Sequence, residues 1–136
     1  QNSLDKTLHT GPDHVIGLRQ LMDKRTQWLL KHPLLNKAQP AIAEVKHAKE
    51  GADVKITAKL TGATRGWLMY RQDKMFAFTR TAMYDDGTNG DSVAADGVFT
   101  GKVKADLAKH YYILAEGDEG AATLPERASY EFFEVK

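Results

Sequence analysis

From Val54 to Leu60 the chain alternates strictly: Val54, Ile56, Ala58 and Leu60 are apolar, while Lys55, Thr57 and Lys59 are polar. A period of two puts the apolar set on one face, which predicts a half-buried antiparallel strand. Further strands are expected at 41–47, 66–72, 75–84, 97–104, 110–116 and 129–135. Turn signals separate them: Glu50-Gly51, Thr61-Gly62, Gln72-Asp73, Asp86-Gly87, Asn89-Gly90, Asp96-Gly97 and the run from Asp118 to Gly120. About seven short strands at this spacing predict a mainly β fold, an immunoglobulin-like or fibronectin-III-like antiparallel sandwich. With no cysteine in the chain, the fibronectin-like variant is favoured over the antibody type. Trp67 is expected in the core, and Tyr111, Tyr112 and Ile113 in a late central strand.

Before Pro40 the period changes. Val15, Leu18, Leu21, Met22, Trp28 and Leu29 recur at spacings near three and four, with Arg19, Gln20, Asp23, Lys24 and Gln27 on the other face. This predicts one amphipathic helix of about five turns. Thr10-Gly11-Pro12-Asp13 reads as its start and Pro33 as its stop, because the residue before proline avoids helical geometry. Residues 1–9 are polar and read as a frayed tail. The expected division is therefore 1–39, a tail and helix that link to or end an upstream domain, and 40–136, the sandwich. A lone amphipathic helix cannot bury its own stripe. It needs the rest of the chain or a neighbouring domain.

Composition narrows the classes. The 136 residues suit one domain with a short appendage, and 42% hydrophobic content supports a core without covalent staples. Nineteen Lys and Arg against eighteen Asp and Glu leave a formal charge of +1. That balance argues against nucleic-acid binding, which shows a basic excess. Without cysteine there is no disulfide, thiolate metal site or cysteine nucleophile. No apolar run reaches the roughly 20 residues of a membrane helix. No secretory leader is recognisable, and a mature secreted chain has lost it.

Residues 85–97 concentrate oxygen donors: they hold Asp85, Asp86, Asp91, Asp96 and Asn89, with no basic residue. Calcium takes several oxygens from a flexible loop, so Asp86, Asn89, Asp91 and Asp96 are candidate ligands. The EF-hand pattern does not fit in any register, and Asp or Asn beside Gly is also what tight turns require. Calcium is thus a possible cofactor, to be weighed against turn chemistry. The five histidines (His9, His14, His32, His47 and His110) fall in no metal-ligand spacing. Ser3, Ser92 and Ser129 lie in no nucleophile motif, and no glycine-rich phosphate loop occurs. No catalytic residue is assigned. Tyr111-Tyr112 and Phe132-Phe133 are adjacent aromatic pairs. In regular strands one member of each faces outward, and Tyr112 and Phe133 are the candidates for contact with a ligand or a neighbouring domain.

Several segments carry a resemblance. They are the stretch from Arg25 to Pro33, Pro40 to Val45, Met83-Tyr-Asp-Asp-Gly with Gly90-Asp-Ser-Val-Ala-Ala-Asp-Gly-Val-Phe, Tyr111-Tyr-Ile-Leu-Ala-Glu, and Pro125-Glu-Arg-Ala-Ser-Tyr-Glu-Phe. In this order they resemble the C-terminal region of bacterial secreted proteins of the spore-coat-protein-H (CotH) kinase-like family, over roughly residues 15–136. The resemblance implies a sandwich following a kinase-like domain, with residues 14–35 as the last helix of that domain or its exit. It carries over no nucleotide loop or catalytic aspartate, so phosphotransfer would belong to sequence outside this chain.

The expected function is a non-catalytic accessory module of a secreted, periplasmic or cell-surface bacterial protein, acting in spacing, docking or contact with a polysaccharide or protein ligand. Two alternatives stand beside it: a carbohydrate-binding module, on the outward aromatics, and the C-terminal part of a CotH-like kinase.

Overall fold

The computed structural model describes residues 8–10 and 13–136. Its contacts divide the chain into two compact units, Gln1–Lys37 and Ala38–Lys136.

The first unit holds strands β1 (Leu8–Thr10) and β2 (Asp13–Val15) and helix α1 (Leu18–Lys31). The two strands pair antiparallel, with Thr10 opposite Asp13 and His9 opposite His14. The expected helix start at Thr10 and Asp13 is thus corrected. Both residues sit in strands, and the helix begins after Gly17, which offers no side-chain cap. His9 and His14, five apart in sequence, lie opposite each other in these paired strands and not across a helix cap. At the other end the helix stops at His32, which is extended before Pro33 as proline geometry requires. Of the expected stripe, Leu18, Leu21, Met22 and Trp28 are exposed and Leu29 is half-buried. Of the frayed tail, residues 1–7 lie outside the described residues, and Leu8 and His9 belong to β1.

The second unit is mainly β, built of two antiparallel sheets. One runs β3 (Ala41–Glu50), β4 (Asp53–Thr61), β7 (Val98–Lys104). The other runs β6 (Thr79–Met83), β5 (Arg65–Arg71), β8 (His110–Glu116), with β9 (Ala121–Leu124) and β10 (Phe133–Glu134) sharing the far edge of β8. Tyr84 and Thr100 exchange backbone hydrogen bonds at 2.9 and 2.8 Å, which ties the end of β6 to β7 and joins the two sheets along one side.

The core lies between the sheets. Val54, Ile56, Ala58 and Leu60 of β4 face Leu68 of β5 and Tyr111, Ile113 and Ala115 of β8, all buried. The alternation in the sequence therefore sets the register. Leu68 pairs with Ile113, and Tyr70 with Tyr111. Tyr111 is buried and its hydroxyl lies 3.0 Å from His47 Nδ1. Burial pushes that phenol up to about 12. In β3, Glu44 has φ +50° and two residues oppose one between Ala43 and Lys46. This bulge restores parity, so that Ile42, Val45 and His47 all lean toward the core side.

Trp67 is not a core residue. Its neighbours Gly66 and Leu68 take the inward positions, and period two sends Trp67 to the outer face. Gly66 has no room for a side chain: an added Cβ would lie 2.8 Å from Leu60 Cδ1 and 2.9 Å from Phe99 Cδ1.

On the outer face of the three-stranded sheet, Lys104 Nζ meets Asp53 Oδ1 at 2.8 Å. That bond holds the Asp53 carboxyl below its ordinary range. Asp86 is lowered too, by the Thr88 hydroxyl and then the Thr88 amide. A carboxyl lowered in the folded state binds fewer protons there than in the unfolded chain. Its contribution is complete above the unfolded value near pH 4 and is lost as pH falls through the folded one. The double variant Asp53→Asn/Asp86→Asn should therefore lose less Tm than the parent between pH 5 and pH 2.5. Parallel acid limbs for the two proteins would refute this.

Candidate functional site

The aspartate loop was the first candidate. Asp86 Oδ1 accepts from the Thr88 amide at 2.8 Å and from the Thr88 hydroxyl at 2.6 Å. Asp91 Oδ2 accepts from the Gly87 amide, and Asp96 Oδ1 from the Val98 amide, each at 2.8 Å. Asn89 sits at φ +53° and donates its side-chain amide to the Thr88 hydroxyl. These are bonds within turns. Among the described residues no three His, Asp or Glu side chains group as metal ligands. The organiser is Asp85, which was not among the candidate ligands. It accepts from the Asp96 amide at 3.1 Å and from the Gly97 amide at 3.0 Å, closing the loop. With the carboxylates engaged by backbone, we expect the melting midpoint to be the same in EDTA and in millimolar calcium. A native-state ligand at about 100 times its Kd would add roughly 2.7 kcal/mol, a shift of several degrees in a domain of this size.

The outer face of the five-stranded sheet is different. Trp67, Met69 and Arg71 of β5 pair with Leu114, Tyr112 and His110 of β8, and Met69 also with Arg80 of β6. These residues share the face opposite the core. Tyr112 lies on it, its ring 4.8 Å from Phe78. The other aromatic candidate is placed differently. Phe133 packs against the core, with its ring 5.2 Å from buried Tyr111. The outward member of that pair is Phe132, whose ring sits 4.6 Å from His110 and 6.4 Å from Phe78. The reason is register: Phe133 is the residue paired with Tyr111, so it shares that residue's face.

Cations fill the gaps between these rings. The Arg71 guanidinium lies 4.2 Å from the Phe78 ring centre and 4.8 Å from that of Phe132. Lys74 Nζ is 5.6 Å from the Phe132 ring centre, and the Arg80 guanidinium is 4.3 Å from that of Trp67. Such stacking is worth about 0.5–1 kcal/mol at exposed sites. The Trp67 indole N–H donates to Glu116 Oε2 at 2.9 Å, which fixes the ring beneath Arg80. Arg71 Nε and His110 Nδ1 are buried without a hydrogen-bond partner.

No protein-family model, curated protein or solved structure matches the chain. The function must come from the geometry.

Sequence reasoning missed Arg71 and Arg80, took Phe133 rather than Phe132 as the outward member of its pair, and put Trp67 inside. One signal was available. With Leu68 inward, alternation alone places Trp67, Met69 and Arg71 together on the outside.

Proposed function

We propose that the chain is a non-catalytic accessory β-sandwich module of a secreted or surface protein, and that it docks a partner through the outer face of its five-stranded sheet. The observation that carries this reading is the set of cations on that face: Arg71, Lys74 and Arg80 are stacked on aromatic rings, and none meets a carboxylate within ion-pair distance among the described residues. A stacked guanidinium has given up side-chain freedom before a ligand arrives, which lowers the cost of binding. The set suits holding an anion rather than making or breaking a bond.

The strand order supports a fibronectin-III-like variant. The fourth strand of the sandwich, β6, pairs with the third, β5, and not with the sheet that contains the first, as in antibody constant domains. In the first unit, α1 has no buried residue, which supports a connecting role beside another domain.

Chemical-shift mapping of the labelled chain against a panel of peptides and oligosaccharides tests the docking face. Perturbations should cluster at the Trp67 indole, the Met69 methyl and Tyr112. Perturbations confined to the three-stranded sheet, or none on this face, would sink the reading.

A further inference from the structure

We propose that the occupant of this face is an acidic protein segment, whose Asp and Glu carboxylates are taken by Arg71 and Arg80. The proposal rests on the docking reading above and adds the chemistry of the partner.

Three lysines of the three-stranded sheet meet carboxylates, whereas the stacked cations of the five-stranded sheet meet rings. On the three-stranded sheet Lys59 lies 4.0 Å from Glu44, Lys102 lies 3.0 Å from Glu50, and Lys104 lies 2.8 Å from Asp53. On the five-stranded sheet Arg71, Lys74 and Arg80 face rings instead. Of the carboxylates around this face, Asp73 in the loop between Arg71 and Lys74 accepts from the Met75 amide, Glu116 is held by the Trp67 indole, and Glu134 lies 3.8 Å from His110 Nε2. Arg71 spends one donor on the Lys74 carbonyl at a long 3.4 Å, and its Nε has no partner. The buried Nε is closed to a ligand, and the fork on offer is the Nη pair, engaged among the described residues only by that one long bond; a carboxylate matches such a fork with two parallel bonds.

The same face argues for polypeptide over polysaccharide. Sugar recognition needs an open ring face. Here guanidinium groups lie over Phe78, Phe132 and Trp67, and Tyr112 packs edge-on against Phe78. The open ground between the cations is Met69 and Leu114, half-buried and apolar. That surface accepts apolar side chains lying between acidic ones.

The probes are poly-L-glutamate and polygalacturonate, two carboxylate polymers of different backbone. Affinity is read by anisotropy of the labelled polymer, and location by Trp67 emission in a Trp28→Phe background. Poly-L-glutamate should bind and change Trp67 emission. Arg71→Gln/Arg80→Gln should weaken it by about tenfold or more, as expected for losing charge-assisted bonds. Lys59→Gln/Lys102→Gln, which removes the same charge from the opposite sheet, should change it less than about twofold. Circular dichroism confirms that both variants are folded. Equal losses in the two variants would reduce binding to net charge and overturn the proposal. Binding of polygalacturonate alone, with the emission change, would overturn the peptide occupant and leave the docking face standing. Polyglutamate binding without an emission change, or no binding of either polymer, would overturn both.

Discussion

Leu68→Ala should destabilise the sandwich by about 3 kcal/mol. Leu68 is fully buried, and its side chain lies where β5, β6 and β8 meet: it pairs with Ile113 and Thr81. A Cβ on Gly101, across the core, would come within 3.2 Å of Leu68 Cδ2. The space is therefore filled from both sheets, and truncation leaves a cavity whose walls are held by two ladders. Such sites relax little, which places the cost in the usual range of about 2–5 kcal/mol for Leu→Ala. In a domain of about 100 residues the midpoint should fall by more than about 10 °C. Trp67→Ala, one position earlier and on the outer face, should cost clearly less, although its ring is larger. Urea unfolding of both variants decides this, and a smaller loss for Leu68→Ala than for Trp67→Ala would invert the two faces of β5.

Asp85→Ala should be the most damaging change in the 85–97 loop, at about 2 kcal/mol. Asp85 receives the amides of Asp96 and Gly97, eleven and twelve residues away. Its backbone carbonyl also accepts from the Ala95 amide at 3.2 Å. Bonds to a charged acceptor contribute about 1.5–3 kcal/mol each when buried and less near water. The bonds of Asp86 and Asp96 reach only two residues along the chain. Losing either loosens one turn, whereas losing Asp85 opens the whole crossing from β6 to β7. Amide exchange at Asp96 and Gly97 should accelerate in Asp85→Ala and stay slow in Asp86→Ala. Equal stability losses in the two variants would show that the loop has no single clasp.

The sandwich was legible where one face of a strand is buried and the other wet. In β4, β7 and β8 the alternation gave strand positions close to those observed, because burial and period coincide. It failed where tertiary pairing decides. β9 is Ala-Ala-Thr-Leu, which has no alternation of its own and is a strand because it folds back on β8. The expected strand at 75–84 shortens to β6, since Asp73 Oδ1 accepts from the Met75 amide and its carbonyl from the Phe76 amide, holding that stretch in a turn. At the N-terminal side, Thr10 and Asp13 suit a helix cap and yet pair with each other in two short strands; the local code does not separate the two. The candidate face was half legible. Tyr112 could be placed by alternation, but Phe132 and Phe133 could not, because β10 is only two residues long and its register is set by Tyr111. The cation stacks join β5 to β6 and to residues from two loops, so no local spacing reveals them.

The bulge at Glu44 has a consequence for self-association. Among the described residues β3 is the longest strand and ends its sheet, so its outer side is where a second copy would add a strand. A bulged strand twists away and interrupts the row of unpaired backbone groups that a straight partner must match. Lys46, Lys49 and Glu50 keep charge along the remainder. This edge is built to refuse edge-to-edge growth into fibrils.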